Sequence, residues 1–301
     1  MEQGADAEKE EVPERVVSLS PALTEMVYAL GQENRLVGVT NHCKYPQEAQ
    51  NKTIIGTVFS PNLEKIGILK PDRILMNVQY PELSASFARF GWRAEELPDQ
   101  SVEDVFSAIE RLGEVFQVPE CARSVTENLK MRLDTLRKRT ENRPKLRVLV
   151  VISRNYDAQT LEEVYIVGQD ALCEPLLKVA GGENAYMGSS PFPKVTPEGL
   201  LHMAPEVILE VVPDRFLPES LEDMANSEKV DKKESEVLNR AWETLPTLPA
   251  VRDRKIFRIR ESDAALIPGP SMILWAEKVA EILEKAYNNT KNLENTENLK
   301  K

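Results

Sequence analysis

The sequence predicts an α/β protein built as two parallel-sheet α/β lobes joined by a single long helix. Three observations lead there. Short apolar runs alternate with amphipathic runs through residues 15–116, the pattern of strands covered by crossover helices. Residues 120–140 then carry Ala122, Val125, Leu129, Leu133 and Leu136 at steps of three and four, over a stretch too long and too charged for a simple crossover. The strand–helix alternation restarts at residue 145. The length of 301 residues suits about two domains, and folding at this size buries about three quarters of the unfolded surface. The expected parts are a disordered tail at 1–14, a first lobe at 15–118, a connecting helix at 119–143, a second lobe at 144–288 and a flexible tail at 289–301.

In the first lobe, residues 15–19 (RVVSL) read as a buried strand. Ser20 is an N-cap with Pro21 at the first helical position, and the helix stops at Gly31. Residues 36–40 (LVGVT) form the second strand and 53–56 a short extended piece. A short helix at 62–69 precedes the strand 73–77 (RILMN). A helix at 82–90, an extended run at 92–97 and a Ser101-capped helix at 102–116 complete the lobe. Pro144 ends the connecting helix. The second lobe opens with 145–153 (KLRVLVVIS), a strong strand pattern, and continues with a strand at 164–167 and a helix at 169–180 stopped by Gly181-Gly182. A short helix at 196–203, a strand at 207–212, a helix at 238–245, a strand at 255–260 and a final helix at 271–287 follow. Residues 218–236 are charged without an apolar stripe and read as a solvated excursion.

Composition removes several classes. Lys plus Arg is 38 and Asp plus Glu is 49, a net charge of −11 with no basic stripe, which argues against nucleic-acid binding. No apolar run approaches membrane-spanning length. The two histidines are too few for a multi-histidine metal site, and the three cysteines (Cys43, Cys121, Cys173) are too few for a disulfide framework. No nucleophile elbow, phosphate loop or paired-histidine helix occurs, so an enzyme is not expected. The first 14 residues are polar and have no apolar core of a leader peptide.

The two halves also echo each other. NLEKIGILKPDRIL at 62–75 and TPEGLLHMAPEVIL at 196–209 share Glu64 with Glu198, Pro71 with Pro205, Ile74 with Ile208 and Leu75 with Leu209. The shared order is a short helix, Pro, an acid and an apolar strand, which points to related lobes. Asn62 and Thr196 are N-cap types, so Glu64 and Glu198 both fall at the second helical position. A carboxylate there has two readings: it complements the helix dipole, or it stands at the tip of a lobe to grip basic residues of a partner.

Together the segments RVVSLSPALTEMVYALG (15–31), RLVGVTNHCKYP (35–46), PNLEKIGILKPDRIL (61–75), LLKVAGGEN (176–184), VTPEGLLHMAPEVIL (195–209) and TLPTLPAVRDRKIFRI (244–259) resemble the cobalamin- and siderophore-type substrate-binding proteins of ABC importers, the family of the vitamin-B12-binding periplasmic protein. The resemblance implies the helical-backbone class of periplasmic binding proteins, with a ligand cleft between lobes, a stiff hinge, no cofactor of its own and a monomeric state. It implies a periplasmic or cell-surface location, with a leader removed and a lipid anchor on the precursor as one form. It also places Glu64 and Glu198 where the family docks to arginines of the membrane permease.

Cleft residues come from loops at strand ends. In the first lobe these are Ser20, His42, Tyr45, Phe59, Asn77, Gln79 and Tyr80; in the second, Arg154, Asn155, Tyr156, Phe192, Asp214, Asp263 and Ile267. The aromatics suit a flat, partly apolar ligand, and the amides suit its polar rim. Arg154 suits an anionic siderophore or a propionate. His42 has two readings, a solvated or structural histidine and an axial ligand to a bound cobalt or iron centre. The tryptophans expected in the best-known cobalamin binders are replaced here by Val58-Phe59 and Met76-Asn77. A corrinoid (cobalamin or cobinamide) is the first ligand expected, a ferric siderophore or haem the second. A corrinoid-handling surface protein uncoupled from a transporter is the alternative role.

Overall fold

A computed structural model describes residues 11–212, 232–260 and 267–298. The chain divides into two compact units. The first comprises the chain up to Met131 together with Ile267–Ser271, and the second runs from Arg132 to Leu266 and from Met272 onward.

The first unit is a five-stranded sheet in the order β3-β2-β1-β4-β5. Its strands are β1 (Val16–Ser18), β2 (Leu36–Val39), β3 (Thr53–Ile54), β4 (Arg73–Asn77) and β5 (Ala94–Leu97), all paired in parallel. Helices α1 (Pro21–Ala29), α2 (Leu63–Leu69), α3 (Pro81–Arg89) and α4 (Val102–Val115) connect them. Local chemistry explains the boundaries. The Ser20 hydroxyl accepts from Leu23 N at the start of α1, and the chain turns away at Gly31 with φ +67°. Ser101 and Asp104 form a reciprocal capping box on α4. Val17, Leu19, Ile55, Ile66, Ile74, Met76 and Phe87 pack as one buried cluster, with the Trp92 ring against Phe87. Residues 11–14, expected to be loose, are tied down: Asp72 Oδ2 accepts from Glu14 N at 2.7 Å, and Pro13 O accepts from Arg35 Nη1 at 2.8 Å.

Helix α5 (Pro119–Thr140) is the expected long connector, and the division between units falls within it. Its second half is stapled to the final helix α10 (Met272–Asn298) by a bidentate pair, with Arg132 donating to Glu277 at 3.0 and 2.6 Å, and by Arg139 and Arg143 on Glu284. α10 continues eleven residues beyond the expected end at Tyr287, through the segment read as a polar tail.

The second unit has the sheet order β11-β10-β6-β7-β9. Its strands are β6 (Leu146–Ser153), β7 (Val164–Ile166), β8 (Gly182–Asn184), β9 (Lys194–Val195), β10 (Val207–Val212) and β11 (Ile256–Arg260), with helices α6 (Cys173–Val179), α7 (Pro197–Met203), α8 (Lys232–Glu243) and α9 (Pro249–Arg252). The sheet is mixed. β7 runs antiparallel to β6 and to β9, while β8 adds in parallel to the start of β6. Two expectations change. Gly182 begins a strand instead of stopping a helix, because it pairs with the start of β6, where a Cβ would lie 2.9 Å from Leu177 Cδ1 and Val148 Cγ2. α8 begins at Lys232, so the end of the excursion expected at 218–236 is helical, while 213–231 lies outside the described residues. Leu238, Ala241 and fully buried Trp242 hold that helix to the sheet.

The sequence echo is structural. Helices α2 and α7 both end on a left-handed residue, Lys70 at φ 47° and Ala204 at φ 43°. The acid after the proline then clips the first strand of its own lobe. Asp72 accepts from Arg15 N at 3.0 Å, and Glu206 accepts from Arg147 N at 2.9 Å. The following strand lies between the first and last parallel strands in both lobes: β4 between β1 and β5, β10 between β6 and β11.

Candidate functional site

Parallel pairing in the first unit puts the C-terminal ends of all five strands on one sheet edge. The loops there carry His42 and Tyr45 after β2, Phe59 after β3, Asn77, Gln79 and Tyr80 after β4, and Asp99 after β5. His42 is exposed, Tyr45 is 46% exposed and Phe59 is 78% exposed. The Phe59 and Tyr80 rings meet edge to face, 5.8 Å between centroids and 87° between planes. The Phe59 loop is a tight turn closed by a bridge between Gly56 and Pro61, where Gly56 has φ +103°.

Asn77 is buried, and its amide donates to Asp99 Oδ2 while its Oδ1 has no hydrogen-bond partner among the described residues. Gln79 and Gln100 donate to Asp99 Oδ1 at 3.1 and 2.8 Å. Burial pushes the Asp99 carboxyl up, the Gln100 and Gln79 bonds oppose that, and the charge of Asp104 adds to it. Asp99 is absent from the sequence expectation, yet the strand-end rule applied to β5 finds it. Exposed Val78, 44% exposed between Asn77 and Gln79, was likewise not expected.

The second unit treats its expected residues differently. Arg154 is interior: its Nε pairs with Glu210 Oε1, its Nη2 donates to Leu238 O at 2.9 Å, and its guanidinium lies 4.7 Å from the Tyr156 ring centroid. Glu210 also accepts from Arg258 Nε at 3.2 Å and from Trp242 Nε1 at 3.3 Å. The expectation of an open anion contact at Arg154 therefore gives way to an internal ion network, because Glu210 lies on the adjacent strand and consumes the guanidinium. Tyr156 is likewise buried, and its hydroxyl donates to Val211 O at 2.6 Å. Asn155 is exposed, with Oδ1 accepting from Asp157 N at 3.1 Å. Phe192 is not gathered with them. Pro191 and Pro193 accept from Gly168 and Ile166, which seats Phe192 beside the end of β7 that lies away from Arg154. The antiparallel turn of β7 is the cause. Asp214 and Asp263 lie outside the described residues, and Ile267 belongs to the first unit.

The acid pair is presented alike in both lobes. Asn62 Oδ1 accepts from Lys65 N at 2.8 Å, Thr196 Oγ1 accepts from Gly199 N at 3.4 Å, and Glu64 and Glu198 stand exposed at the second helical position. Fully buried Ile66 and Leu200 hold the two short helices down. The Glu198 backbone N–H and the Thr196 hydroxyl hold the Glu198 carboxyl below the usual carboxylate range. His202 lies at the other end of α7, on a cavity of about 430 Å³ that it shares with Tyr186, Met187 and Met203. Among the described residues no cluster of three or more His, Cys, Asp or Glu is placed to hold a metal ion, and no helix is long and apolar enough to cross a membrane. Cys43 and Cys173 are buried thiols and Cys121 an exposed one, with no disulfide between them.

The signature of the family described as periplasmic binding protein matches residues 16–262. The chain belongs to that family. Its members are substrate-binding proteins rather than enzymes; they bind small ligands, carry no cofactor of their own and work with ABC permeases. A vitamin B12-binding protein of Vibrio vulnificus is 30% identical over 199 residues, covering 65% of this chain and 70% of that one. An uncharacterized ABC transporter substrate-binding lipoprotein of Bacillus subtilis is 25% identical over 286 residues, covering 92% and 81%. Among solved structures, the periplasmic vitamin B12-binding protein BtuF of Vibrio cholerae superimposes with a TM-score of 0.71 at 24% identity, covering 92% of this chain and 98% of that one. A periplasmic heme-binding protein of a Roseiflexus species gives 0.72 at 21%, covering 91% and 98%. At these identities the structural likeness carries the fold: two α/β lobes joined by a long helix, the class III periplasmic binding protein arrangement.

Proposed function

We propose that this chain is the extracytoplasmic binding component of an ABC importer, in the periplasm or at the cell surface, that captures a corrinoid and delivers it to a permease. The observation that carries the ligand is the aromatic edge of the first lobe. Tyr45, Phe59 and Tyr80 offer exposed or half-exposed rings beside His42 and the Asn77–Gln79–Asp99 amide cluster. A corrin ring is flat, apolar on its faces and fringed with amides, so rings below and amide-bonding groups at the rim complement it. The likeness to vitamin B12-binding relatives supports the same choice. Calorimetry with cobalamin, cobinamide, haem and a siderophore panel tests it; heat from cobalamin or cobinamide is expected, and heat from haem or a siderophore alone transfers the assignment.

Exposed His42 favours haem as the second reading, because an accessible imidazole suits an axial site on iron as well as on cobalt. The His42→Ala variant separates the roles: a changed visible spectrum of the bound ligand marks a metal bond, and an unchanged spectrum and affinity mark a solvated side chain. The matched exposure of Glu64 and Glu198 supports docking to permease arginines. The double variant Glu64→Ala, Glu198→Ala is expected to abolish uptake with ligand affinity unchanged. Lost affinity instead assigns the pair to the ligand.

A further inference from the structure

Glu25 is a buried carboxyl that neither the ligand reading nor the docking reading uses. It lies in α1 at 3% exposure. Its Oε2 accepts from Ser271 N at 3.1 Å, across 246 positions of sequence. Its Oε1 and Ser271 Oγ are both buried with no hydrogen-bond partner among the described residues. A Cβ on Gly269 would lie 2.9 Å from Glu25 Oε2 and 3.4 Å from Ala22 Cα, so this stretch is seated tightly on α1. Ile267–Ser271 belongs to the first unit, while the chain before and after it belongs to the second. The polypeptide thus enters the first unit for five residues between β11 and α10, and Glu25 is what it meets there.

We propose that Glu25 is a proton-responsive positioning residue, whose neutral carboxyl clasps Ile267–Ser271 against α1 and whose ionisation loosens that clasp. The surroundings favour the neutral form. Among the described residues no basic side chain pairs with Glu25. The segment itself (Ile267, Pro268, Gly269, Pro270, Ser271) has no ionisable group, and the buried residues of α4, the helix packed on α1, are apolar. β1 contributes the Ser18 hydroxyl, bonded to Thr24. The titratable group facing Glu25 is Cys43, whose thiol burial also pushes up. An uncompensated carboxylate in such a place is costly, and a neutral carboxylic acid avoids that cost. Burial accordingly pushes the Glu25 carboxyl up to about 7, with Ser271 opposing it. Ile267, the first residue of this segment, is one of the residues expected to meet ligand, so the segment's seating bears on capture. That consequence rests on the binding-protein reading, while the clasp does not.

Hydrogen exchange on the full ligand-free protein tests the clasp without any ligand. Protection of the Gly269 and Ser271 amides, relative to unstructured peptide rates, is expected to fall about tenfold per pH unit from the ordinary carboxylate value toward about 7, then level off. Glu25→Gln is expected to remove that slope. The same slope in both proteins overturns the proposal. Carbon NMR titration of the Glu25 carboxyl in the unmutated protein gives an independent reading: a midpoint near 7 is expected, and a midpoint in the ordinary carboxylate range overturns it.

Discussion

Glu210 has two guanidinium groups on its carboxylate, Arg154 from the neighbouring strand and Arg258 from the other, and itself is fully buried. Burial lowers the Arg258 affinity for its proton, and the Glu210 charge opposes that. Removing the anion leaves two buried cations facing each other, so Glu210→Gln is expected to cost about 3–5 kcal/mol, read as a lower urea midpoint. Phe59 is the opposite case. It is 78% exposed, so Phe59→Ala is expected to change stability by less than about 0.5 kcal/mol while weakening binding of the proposed corrinoid at least severalfold, measured by calorimetry. A residue list drawn from strand ends names both kinds of side chain alike. Type and position place Arg154 and Phe59 at loop mouths, but only the partner strand, with Glu210 on it, decides which one faces inward.

Elements were legible where local chemistry closes them. β4 and β10 begin and end where expected, since each lies in the sheet interior and is buried on both faces, apolar apart from Arg73, Asn77 and Glu210. β8 and β9 were not legible. They are two or three residues long and exist only because β6 and β7 offer edges to pair with. The turn that carries Phe59 is likewise a tertiary product. Gly56 at φ +103° would bring a Cβ to 2.6 Å from Ser60 O. Gly56→Ala is therefore expected to cost more than about 1 kcal/mol and to lower affinity for the proposed ligand through the displaced Phe59, with far-UV circular dichroism unchanged.

Over the whole molecule, Glu25 gives stability a pH signature. Burial pushes its folded carboxyl up to about 7 from the ordinary 4.5, so the native state is expected to hold an extra proton between those values and stability to fall as pH rises through that window. Glu25→Gln removes the ionisation cost. At pH 8 the variant is expected to exceed the unmutated protein by up to about 3 kcal/mol in urea unfolding, and at pH 4.5 the two are expected to converge. An advantage of equal size at both pH values excludes the titration as its source.

The sequence by itself determined the two-lobe α/β plan, the long connector, the paired acids at helix starts and the family, because each is written in local patterns: apolar period, cap residues and the order of short segments. Tertiary structure alone decided that Arg154 and Tyr156 turn inward, that Asp99 gathers the amides of the first lobe, and that five residues near the C-terminus belong to the first unit. These depend on which charges and carbonyls meet across distant strands. Burial gives such meetings their strength, and local sequence carries no record of them.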